Sequence, residues 1–418
     1  MTFDIDIRKH TLANGLRVVV SPDTTTAMAA VNLLYDVGSR DERRGLTGLA
    51  HLFEHLMFGP TEHVPDFDAE VENAGGRSNA WTSNDFTNFY VTLPAQNLRT
   101  VMRLESDRMA FLKVDDRSLQ VQRGVVVEEF KQQCLDRPYG DLYHRIRAAM
   151  YSPEHPYSWP TIGLVPEHVA GVRQTDAEAW YRSHYCPQRA ILAVSGRVDP
   201  QEVFDLVEEW FGEFPSGTSA ERHMPPAGFP SRDIYEEVVT PAPVPLISMA
   251  YPMAAYGQKG YDAADAITDL LSAGRASRFV NNLVQGSAQG LISSADASIV
   301  GSEHEGMLIM TASLTSSSDA DLARARRLIL DEARRLADSS DITDHEWERM
   351  LTTYESTFRF GNTGYLSRAT NLALAEYHGE NINATVEKRR SLSKEEVSAL
   401  AEDMFGHTPS ATIVYRPE

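Results

Sequence analysis

Apolar and polar positions follow two different periods along the first half of the chain. Alternation of apolar with polar residues, with many β-branched and aromatic side chains, predicts strands at 16–20, 29–35 and 87–93. Apolar residues at helical spacing predict helices between and after these strands, at 67–73, 98–111 and 117–150, the last one broken near Pro138. A further helix is expected around residue 51. The first half is therefore an α plus β region.

The second half repeats this order after a segment rich in helix and strand breakers. A strand pattern at 244–251 precedes a helix pattern at 261–272, as in the first half. A chain of 418 residues also exceeds a single ordinary core. We therefore expect an α+β fold of two similar duplicated domains, each mainly an antiparallel sheet with helices packed on one face. The expected bounds are 1–214, a linker at 215–230, and 231–418.

Composition narrows the classes of partner. With 59 acidic and 39 basic side chains the formal charge is −20, which disfavours nucleic acid and anionic membranes as partners. The charge favours basic peptides, although solubility alone also explains it. The first residues resemble no secretion signal, and no stretch approaches the ~18 apolar residues of a membrane span. With two widely spaced cysteines, Cys134 and Cys186, these features predict a cytoplasmic protein.

The segment His51-Leu52-Phe53-Glu54-His55 carries the clearest chemical signal. Positions i, i+3 and i+4 share one face of a helix, so His51, Glu54 and His55 project together. Two neutral imidazoles can bind one Zn²⁺, while the carboxylate takes a proton from an activated water. This order is the inverse of the better-known H-E-x-x-H. On the pattern alone, an amphipathic helix with two satisfied histidines is an equal alternative.

A hydrolytic zinc site needs three protein ligands and an open position, so a third donor must come from elsewhere in the chain. The adjacent Glu128 and Glu129 lie in a predicted helix that could face the histidines. Sequence geometry does not choose between these two glutamates.

Several segments resemble the pitrilysin or insulinase-like zinc peptidases, in the short-subunit form related to processing peptidases. They occur in order at 37–42, 48–58, 75–83, 123–129, 155–157 with 162–163, and 185–190. The resemblance implies a zinc metalloendopeptidase acting on peptides or unfolded polypeptides, with one zinc per chain on His51, His55 and Glu129 and Glu54 as the base. It also implies that Asn79 and Ala80 lie on an edge strand that binds the substrate backbone, although a simple hairpin turn is the alternative.

The chain departs from the pattern of this family at two places. Where these enzymes often carry a supporting glutamate, seven residues before the third ligand, the chain has Gln122. In single-chain and homodimeric members the second half supplies an arginine and a tyrosine seven positions apart, and our alignment places Gln285 and Ile292 there. Neither replaces the hydrogen-bonding capacity of that pair.

These departures lead us to expect the zinc-bearing subunit of a heterodimer, whose related partner chain supplies the arginine and tyrosine. The second half is expected to bind no metal. Three alternatives stay open at this point: a self-sufficient homodimeric processing peptidase, a non-catalytic scaffold member of the family, and a metal-dependent hydrolase of non-peptide substrates.

Overall fold

The computed structural model describes residues 4–217, 222–301 and 303–418. Residue contacts divide the chain into two compact units, which we call unit 1 and unit 2. Unit 1 comprises Met1–Phe130, Pro160–His223 and Thr357–Thr385, and unit 2 comprises Lys131–Trp159, Met224–Ser356 and Val386–Glu418. Each unit thus includes a segment from the other half of the sequence, an exchange that the sequence patterns did not indicate.

Part of the predicted linker at 215–230, namely residues 218–221, lies outside the described residues. The described parts of that segment, 215–217 and 222–230, contain neither helix nor strand.

The strands in the described residues are β1 (Arg8–Thr11), β2 (Arg17–Pro22), β3 (Met28–Tyr35), β4 (Arg77–Thr82), β5 (Thr87–Pro94), β6 (Ala190–Gly196), β7 (Ile234–Thr240), β8 (Leu246–Met253), β9 (Ile292–Val300), β10 (Gly306–Leu314) and β11 (Ala411–Pro417). The α-helices are α1 (Leu49–Leu56), α2 (Phe67–Asn73), α3 (Leu98–Phe111), α4 (Asp116–Phe130), α5 (Leu142–Met150), α6 (Pro166–Ala170), α7 (Gln174–His184), α8 (Pro200–Phe211), α9 (Tyr261–Ser272), α10 (Asp319–Arg334), α11 (Asp344–Gly361), α12 (Tyr365–Tyr377), α13 (Thr385–Arg390) and α14 (Lys394–Glu402). None of these helices combines the length and apolar composition that a membrane span requires.

The two sheets share one topology. Unit 1 contains the order β1-β2-β6-β3-β5-β4, and unit 2 contains β7-β11-β8-β10-β9. Apart from β1, the strands correspond one to one: β2 is parallel to β6 as β7 is parallel to β11, and the other neighbours are antiparallel. The predicted α+β fold of two similar halves is confirmed.

Helices cover both faces of each sheet, whereas the sequence predicted helices on one face only. In unit 1 a large core joins one face of the sheet to α1, α3 and α8. On the opposite face Leu372 and Ala373 of α12 pack against Leu34, Ile191 and Ala193. In unit 2 the helices α9, α10 and α14 cover one face and α5 covers the other. The exchanged segments therefore supply the second helical layer of each unit.

Candidate metal centre

The helix α1 begins directly after Gly48, its N-cap residue, whose backbone is left-handed with φ 88°. A Cβ at this position would lie 2.7 Å from Cγ2 of Val169 and 2.8 Å from the carbonyl oxygen of Ile162. Both the conformation and the lack of space require glycine. The buried side of the helix consists of apolar residues, namely Leu49, Ala50, Leu52, Phe53 and Leu56. The histidines and Glu54 are therefore left on the other side.

The structure brings Glu129 to these histidines. Its Oε2 lies 3.4 Å from Nε2 of His55 and 3.7 Å from Nε2 of His51. One potential ligand atom from each of the three residues lies within 4.8 Å of the other two. Glu129 is on α4, which packs against α1, and it is partly buried whereas Glu128 is exposed. Of the two glutamates that the sequence left open, the second faces the histidines.

The three side chains fit a zinc ion by distance and by chemistry. Zinc bound tetrahedrally at 2.0–2.2 Å separates neighbouring ligand atoms by about 3.3 Å, close to the two separations that involve Glu129. Burial lowers the pKa of His51 to about 4, against the opposing charge of Glu129, so its imidazole is neutral and has a lone pair to give. The His51 Nδ1 atom is buried and neither accepts nor donates a hydrogen bond among the described residues. Contact with His55 lowers the pKa of Glu129, which favours the carboxylate.

Glu54 lies beside the three candidate ligands and is held by a neighbouring strand. The Thr82 hydroxyl donates to Oε2 of Glu54 at 2.5 Å. Burial raises the pKa of Glu54, while the hydrogen bond from Thr82 opposes this shift. A carboxylate with a raised pKa is a better proton acceptor. No motif in the sequence marks Thr82, although its side chain lies on the same side of the strand as that of Ala80.

The residues expected to bind the substrate backbone lie on an edge strand. Within the part of the chain that the structure describes, the strand β4 is last in its sheet and pairs only with β5. The Ser83 N–H donates to the Phe86 C=O at 2.9 Å, and because hydrogen-bonded pairs alternate along an antiparallel ladder, Ala80 and its partner Phe89 form a non-hydrogen-bonded pair. The Ala80 N–H instead donates to the side-chain oxygen of Asn79 at 2.9 Å. Because the N–H and C=O of one residue point to the same side of a strand, both groups of Ala80 face the open edge. The simple hairpin turn considered from sequence is therefore a strand with an open edge.

The structure also locates the residues at which the chain departs from the family pattern. Gln122 is partly buried on α4, two turns before Glu129. Gln285 is exposed in a π-helical segment, Phe279–Ser287, and Ile292 begins β9 with 1% of its surface exposed. The Ile292 side chain belongs to the core of unit 2. The supporting role of Gln122 stays a prediction.

The helix of unit 2 that corresponds to α1 is α9, and it lacks the two histidines and the glutamate of α1. Like α1, α9 begins after a left-handed glycine, Gly260, with φ 100°. Counting from the glycine in each unit gives the corresponding positions of the two helices. Unit 2 has the buried residues Ala263, Ala266 and Ile267 in place of His51, Glu54 and His55. Apolar side chains thus fill the place where unit 1 has its candidate ligands.

Comparison with known proteins gives a consistent classification. Residues 17–153 match the model of the insulinase family, peptidase family M16, and residues 172–354 match its inactive-domain model. A zinc protease of Helicobacter pylori, PqqE, is 29% identical over 97% of this chain and 92% of its own length. The β subunit of the mitochondrial processing peptidase of Blastocladiella emersonii is 28% identical over 52% of this chain and 46% of that protein.

Solved structures agree with these matches. A protease from Helicobacter pylori superimposes with a TM-score of 0.89 and 26% identity over 99% of this chain and 100% of that one. An M16-like peptidase from Alicyclobacillus acidocaldarius has the same fold, with a TM-score of 0.83, 17% identity and full coverage of both chains. Fold, motif order and family models together show that the chain belongs to the insulinase family of peptidases.

The adjacent glutamates allow a matched test of the ligand set. We expect Glu129→Gln to weaken zinc binding by more than the ~10–100-fold typical of groups outside the ligand set, because an amide cannot supply the charged donor. Glu128→Gln should leave the zinc affinity unchanged, since its side chain is exposed. The zinc content after dialysis and the dissociation constant against a competing chelator measure both effects. Equal losses in the two variants would contradict the assignment of Glu129.

Proposed function

We propose that this chain is a zinc-dependent metalloendopeptidase and the zinc-bearing subunit of a heterodimer, with one zinc per chain. The observation that carries the proposal is the convergence of His51, His55 and Glu129 beside a carboxylate, Glu54, that is tied to an edge strand. The zinc proteases among its relatives support the choice of metal. A cytoplasmic location stays a prediction.

The residues have separate tasks in peptide hydrolysis. When bound, zinc supplies a Lewis acid that polarises the scissile carbonyl and acidifies a water molecule. Glu54 accepts the proton that this water loses and later delivers it to the leaving amine nitrogen. Thr82 fixes the orientation of the Glu54 carboxylate through its hydrogen bond. The imidazoles of His51 and His55 and the carboxylate of Glu129 would hold the zinc.

The base can be removed without removing a ligand. We expect Glu54→Gln to keep stoichiometric zinc and to lower kcat by about 10²–10⁴-fold, the contribution usual for a positioned general base. Cleavage of a quenched peptide library, together with metal analysis of the same sample, measures the effect. Glu72→Gln, an exposed change on α2, is the control. Full activity of the Glu54→Gln variant would show that Glu54 is not the base.

The open edge of β4 favours an extended peptide as substrate. A peptide that adds to this edge can donate to the C=O of Ala80 and accept from its N–H, once the Asn79 side chain turns away. Such main-chain bonds recognise any sequence in an extended conformation. This supports peptides and unfolded polypeptides, and not compact non-peptide molecules, as the substrate class.

Replacing Ala80 by proline tests the strand. Proline deletes the N–H that faces the open edge and leaves the pairing of β4 with β5 in place. Loss of one main-chain hydrogen bond, at ~0.5–1.5 kcal/mol, should lower kcat/KM by about 2–10-fold with unchanged zinc content. Ala80→Ser retains the N–H and is the control. If the proline variant cleaved peptides as fast as the serine variant, substrate binding at this N–H would be wrong.

A partner chain is proposed because this chain lacks the arginine and the tyrosine that the family supplies at these positions. An exposed glutamine and a buried isoleucine occupy the aligned positions 285 and 292, and a side chain in the core of unit 2 does not reach a substrate. Hydrogen-bond donors aimed at a developing oxyanion usually contribute a large share of the rate. The processing peptidase relatives are named as subunits, which also supports an assembly of two chains.

Partner dependence can be tested on material from the native source. Size and mass analysis of the isolated complex should show this chain together with a second, related chain. Peptidase activity of this chain alone should rise by about 10²–10³-fold when that chain is added, the usual value of one oxyanion donor. A homodimer whose rate no partner changes would instead support the self-sufficient processing peptidase. A chain that binds no stoichiometric zinc would support a scaffold.

A further inference from the structure

A buried carboxylate holds the start of the helix that carries both histidines. The Oε2 atom of Glu42 accepts the Gly48 N–H at 2.9 Å, and its Oε1 atom accepts the Ala50 N–H at 2.8 Å. Gly48 has no side chain to cap the helix, so Glu42, six residues earlier in the chain, performs this task. Only 7% of the surface of Glu42 is exposed.

The contact matters because α1 has only eight residues. The first N–H groups of a helix have no partner within the helix, and a helix of two turns has little stability of its own. His51 lies in the first turn, directly after Ala50, whereas His55 lies in the last. Fraying of the first turn would therefore displace one candidate ligand and leave the other in place.

The position of Glu42 is itself fixed by the segment before it. Glu42 directly follows the short 3₁₀ turn Ser39–Asp41. In that turn the Arg40 guanidinium donates to Asp85 at 2.9 Å and to Asp36 at 2.8 Å, and it is almost fully buried. A second arginine, Arg222, donates to Asp41 at 2.6 Å. A network of paired charges thus anchors the residue that caps α1.

The negative charge of Glu42 stabilises the start of α1, as its two hydrogen bonds do. Aligned peptide dipoles give a helix N-terminus a partial positive charge, which a carboxylate compensates. The same carboxylate adds negative potential near the site that would bind a divalent cation. Loss of this charge would therefore weaken cation binding even where the helix stays formed.

We infer that Glu42 is a positioning residue of the metal centre: it clamps the first turn of α1 so that His51 is held ready for zinc. The inference rests on the proposed zinc function. It assigns to Glu42 no contact with zinc, substrate or the reacting atoms.

The test compares two capping residues of unit 1. Glu42→Gln keeps the size of the side chain and one oxygen acceptor, so the chain should fold. The control is Asp66→Asn, because Asp66 caps α2 by accepting the Ala69 N–H at 3.0 Å and that helix carries no candidate ligand. Both variants are made in the full chain, and zinc affinity is measured by competition with a chelator well below the unfolding temperature.

We expect Glu42→Gln to raise the zinc dissociation constant by about 10–100-fold, as for other groups outside the ligand set. Asp66→Asn should leave it within twofold of the unchanged chain. Hydrogen exchange at the Gly48 and Ala50 amides should accelerate in Glu42→Gln alone, which links the affinity to the first turn. Both readouts are independent of peptidase activity.

The possible outcomes separate this inference from the proposed function. If the unchanged chain binds zinc and Glu42→Gln binds it equally well, the role of Glu42 is overturned while the zinc site stands. If both cap variants lose affinity equally, the effect is general destabilisation and the positioning role is again overturned. If the unchanged chain binds no zinc, both proposals are overturned together.

Discussion

The candidate site depends above all on how one short helix begins. The eight residues of α1 must bury an apolar side and direct three polar side chains the opposite way. Gly48 makes the turn into the helix because its backbone is left-handed and its surroundings leave no room for a Cβ. Glu42 then satisfies two N–H groups that the helix cannot satisfy itself. A buried carboxylate at this point is stabilised because it accepts two hydrogen bonds and faces the positive end of the helix dipole.

The two units show that this fold does not by itself create a site. Both contain the same strand order, and both begin the corresponding helix at a left-handed glycine. Unit 2 has Ala263, Ala266 and Ile267 where unit 1 has two imidazoles and a carboxylate, so at these positions the same backbone carries buried apolar side chains. The chemistry proposed for the chain therefore rests on a few side chains that only one of the two similar scaffolds carries.

Much of the fold followed from local pattern, because strong periodicity reports which side of an element is buried. The helices at 67–73, 98–111 and 261–272 were predicted with the bounds that the structure has. The pairing of α5 and α12 with the sheet of the opposite half was missed, since an apolar stripe does not say which sheet it covers. Residue spacing alone left Glu128 and Glu129 equivalent for a similar reason, because the choice depends on the rotation of α4 against α1, a long-range property; only the family resemblance pointed to Glu129. Thr82 and Glu42 act on α1 from distant or irregular segments, and no local spacing marks them.

Burial shifts the pKa values of the candidate ligand His51 and the candidate base Glu54 in opposite directions. Removal of water disfavours the charged form of any group, so it lowers the pKa of His51 and raises the pKa of Glu54. A neutral imidazole is the form that binds a metal, and a carboxylate with a raised pKa is the form that accepts a proton readily. Glu129 differs because its contact with His55 keeps its pKa low and therefore keeps its charge. The pKa values of the two glutamates in this small candidate site are thus shifted in opposite directions, which suits the roles proposed for them: Glu129 as a cation ligand and Glu54 as a proton acceptor. The hydrogen bond from Thr82 limits how far the Glu54 pKa rises, so β4, the strand with the open edge, also influences the pKa of the candidate base.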